Sequence, residues 1–356
     1  MTAVGINGLG RIGRLLARRL HERQDASGEL ELVMCNEVAD VETVAHLLKY
    51  DSTHGRFSQP VSIEPGGLRI ADQSIALSHE TEPSRVAWGD RGVDLVVDCT
   101  GVEFSRASAS AHLGKGVKRV LLSQPASIDV DGTIIWGLNQ ASLKPDMSVI
   151  SAGSCTSNAL MPVLSVIDKA FGINAGIVTT IHSAMNDQPV IDAYHHTDLR
   201  KTRAAFNSVI PVETGLAQGV ERFLPHLSNK ISARALRVPT LNVSSLDVVL
   251  SVDKSTSAHE VNAAISESID AFDGVLAVNS EPLASCDFLG AEASSIVDTT
   301  QTQVSNGHLI KLMIWFDNEW AFVNRMVDIV LRLSDFLAED SFRKQTETES
   351  RHRKRD

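Results

Sequence analysis

Short apolar runs alternate with segments of helical spacing through the first 150 residues. Residues 3–6 form an apolar run that predicts a buried strand, and apolar side chains then recur at positions 12, 15, 16 and 20, as on one face of a helix. Further apolar runs that predict strands lie at 30–35, 94–99, 119–122 and 133–136. Because alternating strands and helices build a parallel sheet covered on both faces, this half predicts a doubly wound α/β domain.

The pattern changes after residue 155. Longer runs of β-like composition follow, with one segment of helical spacing near 258–272; the runs are 176–182, 233–238, 245–252 and 308–316. This half predicts an α+β domain whose sheet is mostly antiparallel. The end of the chain is charged and lacks periodicity, which predicts a disordered charged tail over residues 338–356, with a nucleic-acid-binding arm as the alternative.

Composition narrows the classes of protein. A chain of 356 residues with 43% hydrophobic content suits two domains with full cores. A net charge of −11 argues against nucleic acid as the main partner. No apolar run reaches 18 residues, and a first strand at residue 3 leaves no room for a signal peptide, so we expect a cytoplasmic protein without membrane contacts. The four cysteines are widely spaced and predict neither disulfides nor a metal site.

A glycine-rich turn follows the first predicted strand. Gly8, Gly10 and Gly13 match the pattern G-x-G-x-x-G and lead into the first helix, while Glu37 ends the second predicted strand. Such glycines let the backbone approach a pyrophosphate at a helix N-terminus, and the carboxylate accepts hydrogen bonds from a ribose diol. The order of these elements predicts a dinucleotide site. Since Glu37 would repel a 2′-phosphate, we expect NAD rather than NADP.

A candidate nucleophile stands at the start of the second half. Cys155 lies between an apolar run and a helix-like segment, and His182 ends a β-like run 27 residues later. A helix N-terminus favours a thiolate, and a neighbouring imidazole would form the thiolate–imidazolium pair that makes cysteine nucleophilic. Taken singly, Cys155 could be an inert buried thiol and His182 a core histidine; the nucleotide signature favours catalysis.

Five motifs together resemble the glyceraldehyde-3-phosphate dehydrogenase superfamily; they cover residues 7–14, 47–55, 154–158, 237–240 and 315–320. The resemblance implies a Rossmann NAD-binding domain over residues 1–154, completed by a returning C-terminal helix at about 321–337. It also implies a catalytic domain over 155–320 and a homotetrameric assembly.

The resemblance assigns roles to individual residues. It implies that Cys155 is the nucleophile and His182 its base, that Arg11 and Ile12 line the pyrophosphate and nicotinamide, and that Asn318 holds the carboxamide. The residues that it implies for substrate and anion binding are Ser154, Thr156, Arg200, Lys201, Thr214, Gly215 and Arg237.

Within the superfamily, residues 180–188 and 191–195 resemble the erythrose-4-phosphate dehydrogenase branch more than the glycolytic enzymes, and Glu37 fits that branch. Phosphorylating members usually carry Thr three residues after the catalytic His, where Met185 stands here, and a thioether cannot donate to a phosphate oxygen. The implied activity is NAD-dependent oxidation of erythrose 4-phosphate to 4-phosphoerythronate through a Cys thioester, feeding pyridoxal 5′-phosphate synthesis. A phosphorylating glyceraldehyde-3-phosphate dehydrogenase and a non-catalytic NAD- or redox-sensing protein remain as alternatives.

Overall fold

The computed structural model describes residues 1–102, 104–195 and 198–353, without the side chains of 24–27 and 340–353. The chain divides into two compact units. The first contains Met1–Ile134, Gln140–Gly153 and the residues from Val323 onward; the second contains Ile135–Asn139 and Ser154–Phe322. The sequence placed this division one residue later and did not anticipate that 135–139 would join the second unit.

The first unit is built on a nine-stranded sheet whose central strand is the first in the chain. Its strands are β1 (Thr2–Asn7), β2 (Leu30–Asn36), β5 (Val61–Glu64), β6 (Gly67–Ile70), β7 (Gln73–Ser78), β8 (Leu95–Asp98), β9 (Arg119–Leu122), β10 (Gly132–Thr133) and β11 (Val149–Ser151), and two short strands, β3 (Tyr50–Asp51) and β4 (Gly55–Arg56), pair separately. β1 pairs in parallel with β2 on one side and with β8 on the other. Strand order therefore reverses direction at β1, which is where ligands bind in open parallel sheets.

Four helices belong wholly or mainly to this unit: α1 (Arg11–Ser27), α2 (Val41–Lys49), α3 (Arg106–Ala109) and α7 (Trp320–Arg353). The apolar face predicted for α1 is buried at Leu15, Leu16 and Leu20. From Val323 onward, α7 buries a second apolar face that includes Met326, Ile329 and Leu333. The prediction of a doubly wound Rossmann-type domain is confirmed.

The second unit contains a mixed sheet of eight strands in which most neighbours are antiparallel. The strands are β12 (Ile173–His182), β13 (Ile210–Val212), β14 (Ile231–Arg237), β15 (Ser244–Val252), β16 (Leu276–Asn279), β17 (Ser295–Asp298), β18 (Gln303–Ser305) and β19 (Leu309–Phe316). Among the strands that the structure describes in this sheet, only the pairs β12–β14 and β16–β17 are parallel. The sequence predicted the four longest of these strands with small errors at their ends.

Three helices pack on this sheet: α4 (Cys155–Phe171), α5 (Leu216–Phe223) and α6 (Ala258–Ser266). Their apolar side chains and the buried alternate positions of β12, β15 and β19 form one core, with Leu160, Leu164 and Leu246 among its fully buried members. Pro162 lies inside α4 without ending the helix.

The C-terminal helix extends beyond the predicted end at residue 337. Its backbone is helical to Arg353, whereas the sequence analysis expects a disordered charged tail from residue 338. Residues 338–353 are rich in Glu, Lys and Arg, which have good helix propensity. Residues 354–356 lie outside the described part. Nowhere in that part is a helix both long and apolar enough to cross a membrane.

Candidate functional site

The glycine turn of the first unit has the geometry that a dinucleotide needs. Gly8 follows β1 with φ of +87°, a conformation that side chains with a Cβ seldom adopt, and its amide donates to the carbonyl of Asn36 at 2.8 Å. A Cβ on Gly13 would lie 1.9 Å from the carbonyl oxygen of Gly8, whereas a Cβ on Gly10 would meet nothing within 4 Å. Gly13 therefore permits the close packing of α1 on the turn, and Gly10 keeps the space in front of the helix open.

Glu37 is fixed against the same turn. One carboxylate oxygen accepts from the amide of Leu9 at 2.7 Å and the other from the amide of Ala39 at 3.3 Å. Each oxygen keeps a lone pair for a further donor, such as a ribose hydroxyl. The carboxylate predicted from sequence thus stands beside the glycines.

A cleft of about 330 Å³ opens at this point, and Gly8, Gly10 and Glu37 line it together with residues that include Pro83, Thr100 and Val102. The other residues predicted for the cofactor in this unit, Arg11, Ile12 and Gly13, are not part of its lining. The Arg11 guanidinium instead donates to Asp51 at 2.5 Å. Burial opposes ionisation of Asp51, yet the amides of His54 and Thr53 and the Arg11 guanidinium hold its pKa down at about 2.

A buried polar network supports the cleft from below, and the sequence analysis missed it. Asp98 accepts from Asn7 at 2.7 Å and lies 3.2 Å from the His112 ring, while Asn36 donates to Asn7 at 2.8 Å. Although burial favours the neutral acid, these hydrogen bonds and those from Thr100 keep the pKa of Asp98 below its ordinary value. The network joins the ends of β1, β2 and β8, whose polar residues are the signal that sequence reasoning could have used.

In the second unit, Cys155 is the first residue of α4. The helix is capped by Ser154, whose hydroxyl accepts from the amide of Ser157 at 3.0 Å and donates to the Ser157 hydroxyl at 2.9 Å. Ser154, predicted to bind an anion, is therefore engaged in the cap. The Cys155 amide is among the first N–H groups of the helix, which have no carbonyl partner within it.

The catalytic pair predicted from sequence is brought together. The Cys155 sulfur lies 3.8 Å from Nε2 of His182 and 3.9 Å from the Thr156 hydroxyl. Nδ1 of His182 lies 2.9 Å from the carbonyl oxygen of Ser183. Because a carbonyl can only accept, Nδ1 carries the proton and Nε2 directs its lone pair towards the thiol.

Burial opposes the charge separation that the sequence predicted for this pair. It raises the pKa of Cys155, with hydrogen bonds around Thr156 acting in the opposite direction. It also lowers the pKa of His182, and Arg237 adds to that effect while Asp187 and Glu319 oppose it. Both shifts favour a neutral thiol beside a neutral imidazole, whose Nε2 can accept the thiol proton.

A cationic cluster lies beside His182, because Arg237 is the register partner of His182 on β14. Nη1 of Arg237 donates to Asp187 at 2.6 Å and to Gln188 at 3.1 Å, and Lys201 donates to the other oxygen of Asp187 at 2.9 Å. Burial opposes ionisation of Asp187, but the hydrogen bonds from Lys201 and Arg237 keep its pKa below the ordinary value. Nε and Nη2 of Arg237 have no partner among the described residues, so this side of the guanidinium can donate to a ligand.

Three further residues predicted to bind substrate or anions, Arg200, Thr214 and Gly215, have no described contact with Cys155 or His182. Arg200 is exposed, and its described hydrogen bond is made by its backbone. Thr214 and Gly215 precede α5, where the Thr214 hydroxyl accepts from the amide of Leu216 at 3.3 Å. Gly219 of α5 packs near Ser157, so this helix lies beside the first turn of α4.

Met185 and Asn318 complete the set. The amide of Met185 donates to the same Gln188 oxygen that binds Arg237, and the residue is 47% exposed. Asn318 is buried, and its amide oxygen accepts from the hydroxyls of Ser183 and Ser244. Asp187, Gln188, Ser183 and Ser244 were not predicted as site residues, since their contacts join segments far apart in the chain.

Comparison with protein families agrees with these two sites. Residues 2–106 match the model described as glyceraldehyde 3-phosphate dehydrogenase, NAD binding domain, and residues 154–318 match the model described as glyceraldehyde 3-phosphate dehydrogenase, C-terminal domain. The cleft beside Gly8 and Glu37 lies in the first match, and the Cys155–His182 pair lies in the second. NAD is thus the cofactor of the N-terminal domain. The chain belongs to the glyceraldehyde 3-phosphate dehydrogenase family of NAD-dependent oxidoreductases that act on aldehydes.

Proposed function

We propose that the protein oxidises D-erythrose 4-phosphate to 4-phosphoerythronate with NAD, through a thioester on Cys155. The observation that carries the choice of substrate is Met185. The backbone amide of Met185 donates a hydrogen bond to Gln188, which also accepts one from Arg237. The thioether side chain of Met185 cannot donate a hydrogen bond to a phosphate group. A hydroxyl at this position would be worth about 1.5–3 kcal/mol towards a charged oxygen. Its absence favours a substrate whose phosphate is held further out, by Arg237 and Lys201.

The first steps follow from the geometry of Cys155 and His182. His182 accepts the thiol proton at Nε2 as the sulfur attacks the aldehyde carbon, which gives a hemithioacetal. The backbone amide of Cys155 and the protonated imidazole can both donate to the oxygen that develops charge. The imidazolium passes its proton to that oxygen, which completes the hemithioacetal. The neutral imidazole then accepts the hydroxyl proton as the carbon is oxidised and releases it to solvent.

NAD, when bound, supplies the acceptor for the hydride that leaves this carbon. Gly8, Gly10 and Glu37 would hold its adenosine and pyrophosphate part, and Asn318 would hold the nicotinamide carboxamide. The thioester that remains on Cys155 is then hydrolysed: water adds to the carbonyl carbon with His182 as base, and the C–S bond breaks to release the acid and the thiol.

Phosphate in place of water defines the main alternative, a phosphorylating glyceraldehyde-3-phosphate dehydrogenase. Thr156, Thr214 and Gly215 are the proposed second anion site, and Ser154 contributes there only if its cap opens. The test is NADH formation with erythrose 4-phosphate and with glyceraldehyde 3-phosphate, each with and without inorganic phosphate. We expect phosphate-independent turnover that favours the tetrose; strict phosphate dependence with the triose would overturn the proposal, and NAD binding without turnover would indicate a sensor.

Substitutions at Met185 test its role in the choice of substrate. Met185→Thr should move the ratio of kcat/KM towards the triose by about tenfold, the equivalent of one hydrogen bond to a charged group. Met185→Leu adds no donor and should leave the ratio unchanged. An equal response to both substitutions would show that Met185 does not determine substrate specificity.

We further infer that the protein works in the cytoplasm as a homotetramer and that its product feeds pyridoxal 5′-phosphate synthesis. Several large apolar side chains of the second unit are exposed in the single chain, among them Ile177, Tyr194 and Leu199. Burial of such side chains between subunits supports self-association. Light scattering of the purified protein measures the assembly directly, and a monomer would contradict it.

A further inference from the structure

The side-chain amide of Asn318 is held by two buried hydroxyl groups. Ser183 follows β12 and donates to Oδ1 of Asn318 at 3.1 Å, and Ser244 begins β15 and donates to the same oxygen at 2.7 Å. Asn318 follows β19, whose Phe316 is the register partner of Ser244. Three strand ends therefore converge on one carboxamide.

Hydrogen-bond accounting decides which way the amide points. The Ser244 hydroxyl already accepts from the amide of Ser183 at 3.1 Å, so its own proton needs an acceptor. With Oδ1 of Asn318 towards the serines, that proton and the Ser183 hydroxyl proton are both satisfied. The reversed amide would present N–H groups there and leave a hydroxyl proton without this acceptor, an expensive arrangement at residues that are almost fully buried.

The amide nitrogen consequently faces away from both serines. Its two N–H groups have no partner among the described residues, although Asn318 is only 9% exposed. The nitrogen itself keeps some solvent contact, so these N–H groups can donate to water or to an acceptor on a ligand. The carbonyl oxygen of a carboxamide is such an acceptor.

We propose that Ser183 and Ser244 are positioning residues that fix the Asn318 amide and thereby select the face of the nicotinamide ring presented to the substrate. The inference rests on the role of Asn318 in the proposed function. If the N–H groups of Asn318 are fixed as donors, they bind the nicotinamide carboxamide in one orientation only. If the Asn318 amide could turn, it could present either a donor or an acceptor. Ser183 also holds Nδ1 of His182 through its carbonyl, so one residue orients both the base and the cofactor-binding amide.

Equilibrium binding separates the nicotinamide end from the rest of the cofactor. The double variant Ser183→Ala/Ser244→Ala should weaken NAD binding by about three- to tenfold in calorimetric titration, as expected for a hydrogen bond that is no longer preorganised. ADP-ribose, which lacks nicotinamide, should bind as it does to the unmodified protein. Ser183→Ala alone keeps the Ser244 contact and should show part of the loss, so it serves if the double variant does not fold.

The matched control is Thr180→Val on the same strand as His182. The Thr180 hydroxyl is also buried but has no hydrogen-bond partner among the described residues, so its removal should change neither titration. Unchanged NAD affinity in the double variant, or an equal loss for NAD and ADP-ribose, would overturn the proposal. Neither titration involves an aldehyde, so the outcome does not depend on which sugar phosphate is oxidised.

The stereochemistry of hydride transfer is a second readout that a purely structural role would not change. An aldehyde substrate deuterated at C1 transfers deuterium to one face of the nicotinamide C4, and NMR of the reduced cofactor identifies that face. We expect a single face in the unmodified protein and in Thr180→Val, and deuterium on both faces in the double variant. Retention of one face in the double variant would show that the serines do not select it.

Discussion

Substitution by alanine should have different effects at two glycines of the nucleotide turn: at Gly13 it should lower stability, and at Gly10 it should weaken NAD binding. A Cβ on Gly13 would stand 1.9 Å from the backbone oxygen of Gly8 and 3.0 Å from its carbonyl carbon. To reach an ordinary contact of 3.4 Å, the helix and the turn must separate by about 1.5 Å, and neither partner is a flexible side chain. At Gly10 the same Cβ meets no atom, but it extends into the cleft.

The expected magnitudes follow from these contacts. Overpacking costs about 1–3 kcal/mol, and a rigid backbone contact belongs at the upper end. Alanine recovers up to about 1 kcal/mol in helix propensity, so Gly13→Ala should lower the free energy of unfolding by about 2 kcal/mol. Gly10→Ala should leave that free energy unchanged or slightly raised, yet weaken NAD binding by about tenfold or more, equivalent to about 1.4 kcal/mol.

Urea denaturation and calorimetric titration with NAD measure both quantities for the two variants. Each variant acts as the other's control, because both make the same chemical change in the same turn. If Gly13→Ala unfolds at the same urea concentration as the unmodified protein, the close approach of α1 to Gly8 is wrong. If Gly10→Ala binds NAD with full affinity, the cofactor phosphates do not pass in front of this helix.

Other predictions concern the nucleophile and a buried ion pair. Cys155→Ser should abolish aldehyde oxidation while NAD affinity stays within about twofold, because the sulfur is needed for covalent chemistry rather than for the cofactor; substantial remaining turnover, measured as NADH absorbance, would exclude the thioester route. The depressed pKa of Asp51, about 2 against an ordinary 3.8, stabilises the fold above pH 4, and this contribution is lost as the pH falls towards 2. Of a total of about 2 kcal/mol, about 1 kcal/mol should disappear between pH 5 and pH 3 in urea denaturation. Asp51→Asn should remove this part of the pH dependence, and an identical pH profile in that variant would contradict it.

Local patterns accounted for the features that could be predicted from sequence. The turn from β1 into α1 and the position of Glu37 depend on glycines, helical spacing and one strand end, all within about 35 residues. The pairing of Cys155 with His182 was predicted because a cysteine at a helix start and a histidine at a strand end are a typical nucleophile and base. The ends of one helix were predicted less accurately. The helix predicted over 258–272 ends at Ser266, and a separate 3₁₀ turn follows at Ile269–Phe272.

Contacts between distant segments could not be predicted in this way. The ion pair between the Arg11 guanidinium and Asp51 joins residues 40 positions apart. The convergence of Ser183, Ser244 and Asn318 requires the register of β12, β15 and β19, which no local pattern reports. Asp187 shows the same limit, since its partners Lys201 and Arg237 come from a loop and from another strand.

The discontinuity of the first unit has a consequence for biosynthesis. Its first strand and last helix are joined by the Thr2 and Ser334 hydroxyls at 2.6 Å, and Arg19 donates to Asn324 at 2.8 Å. A ribosome that has translated the first 150 residues has therefore not yet supplied the helix that covers part of this core. The stretch from Ser154 to Phe322 emerges without interruption, so we expect it to become protease-resistant on the nascent chain before the nucleotide-binding unit does.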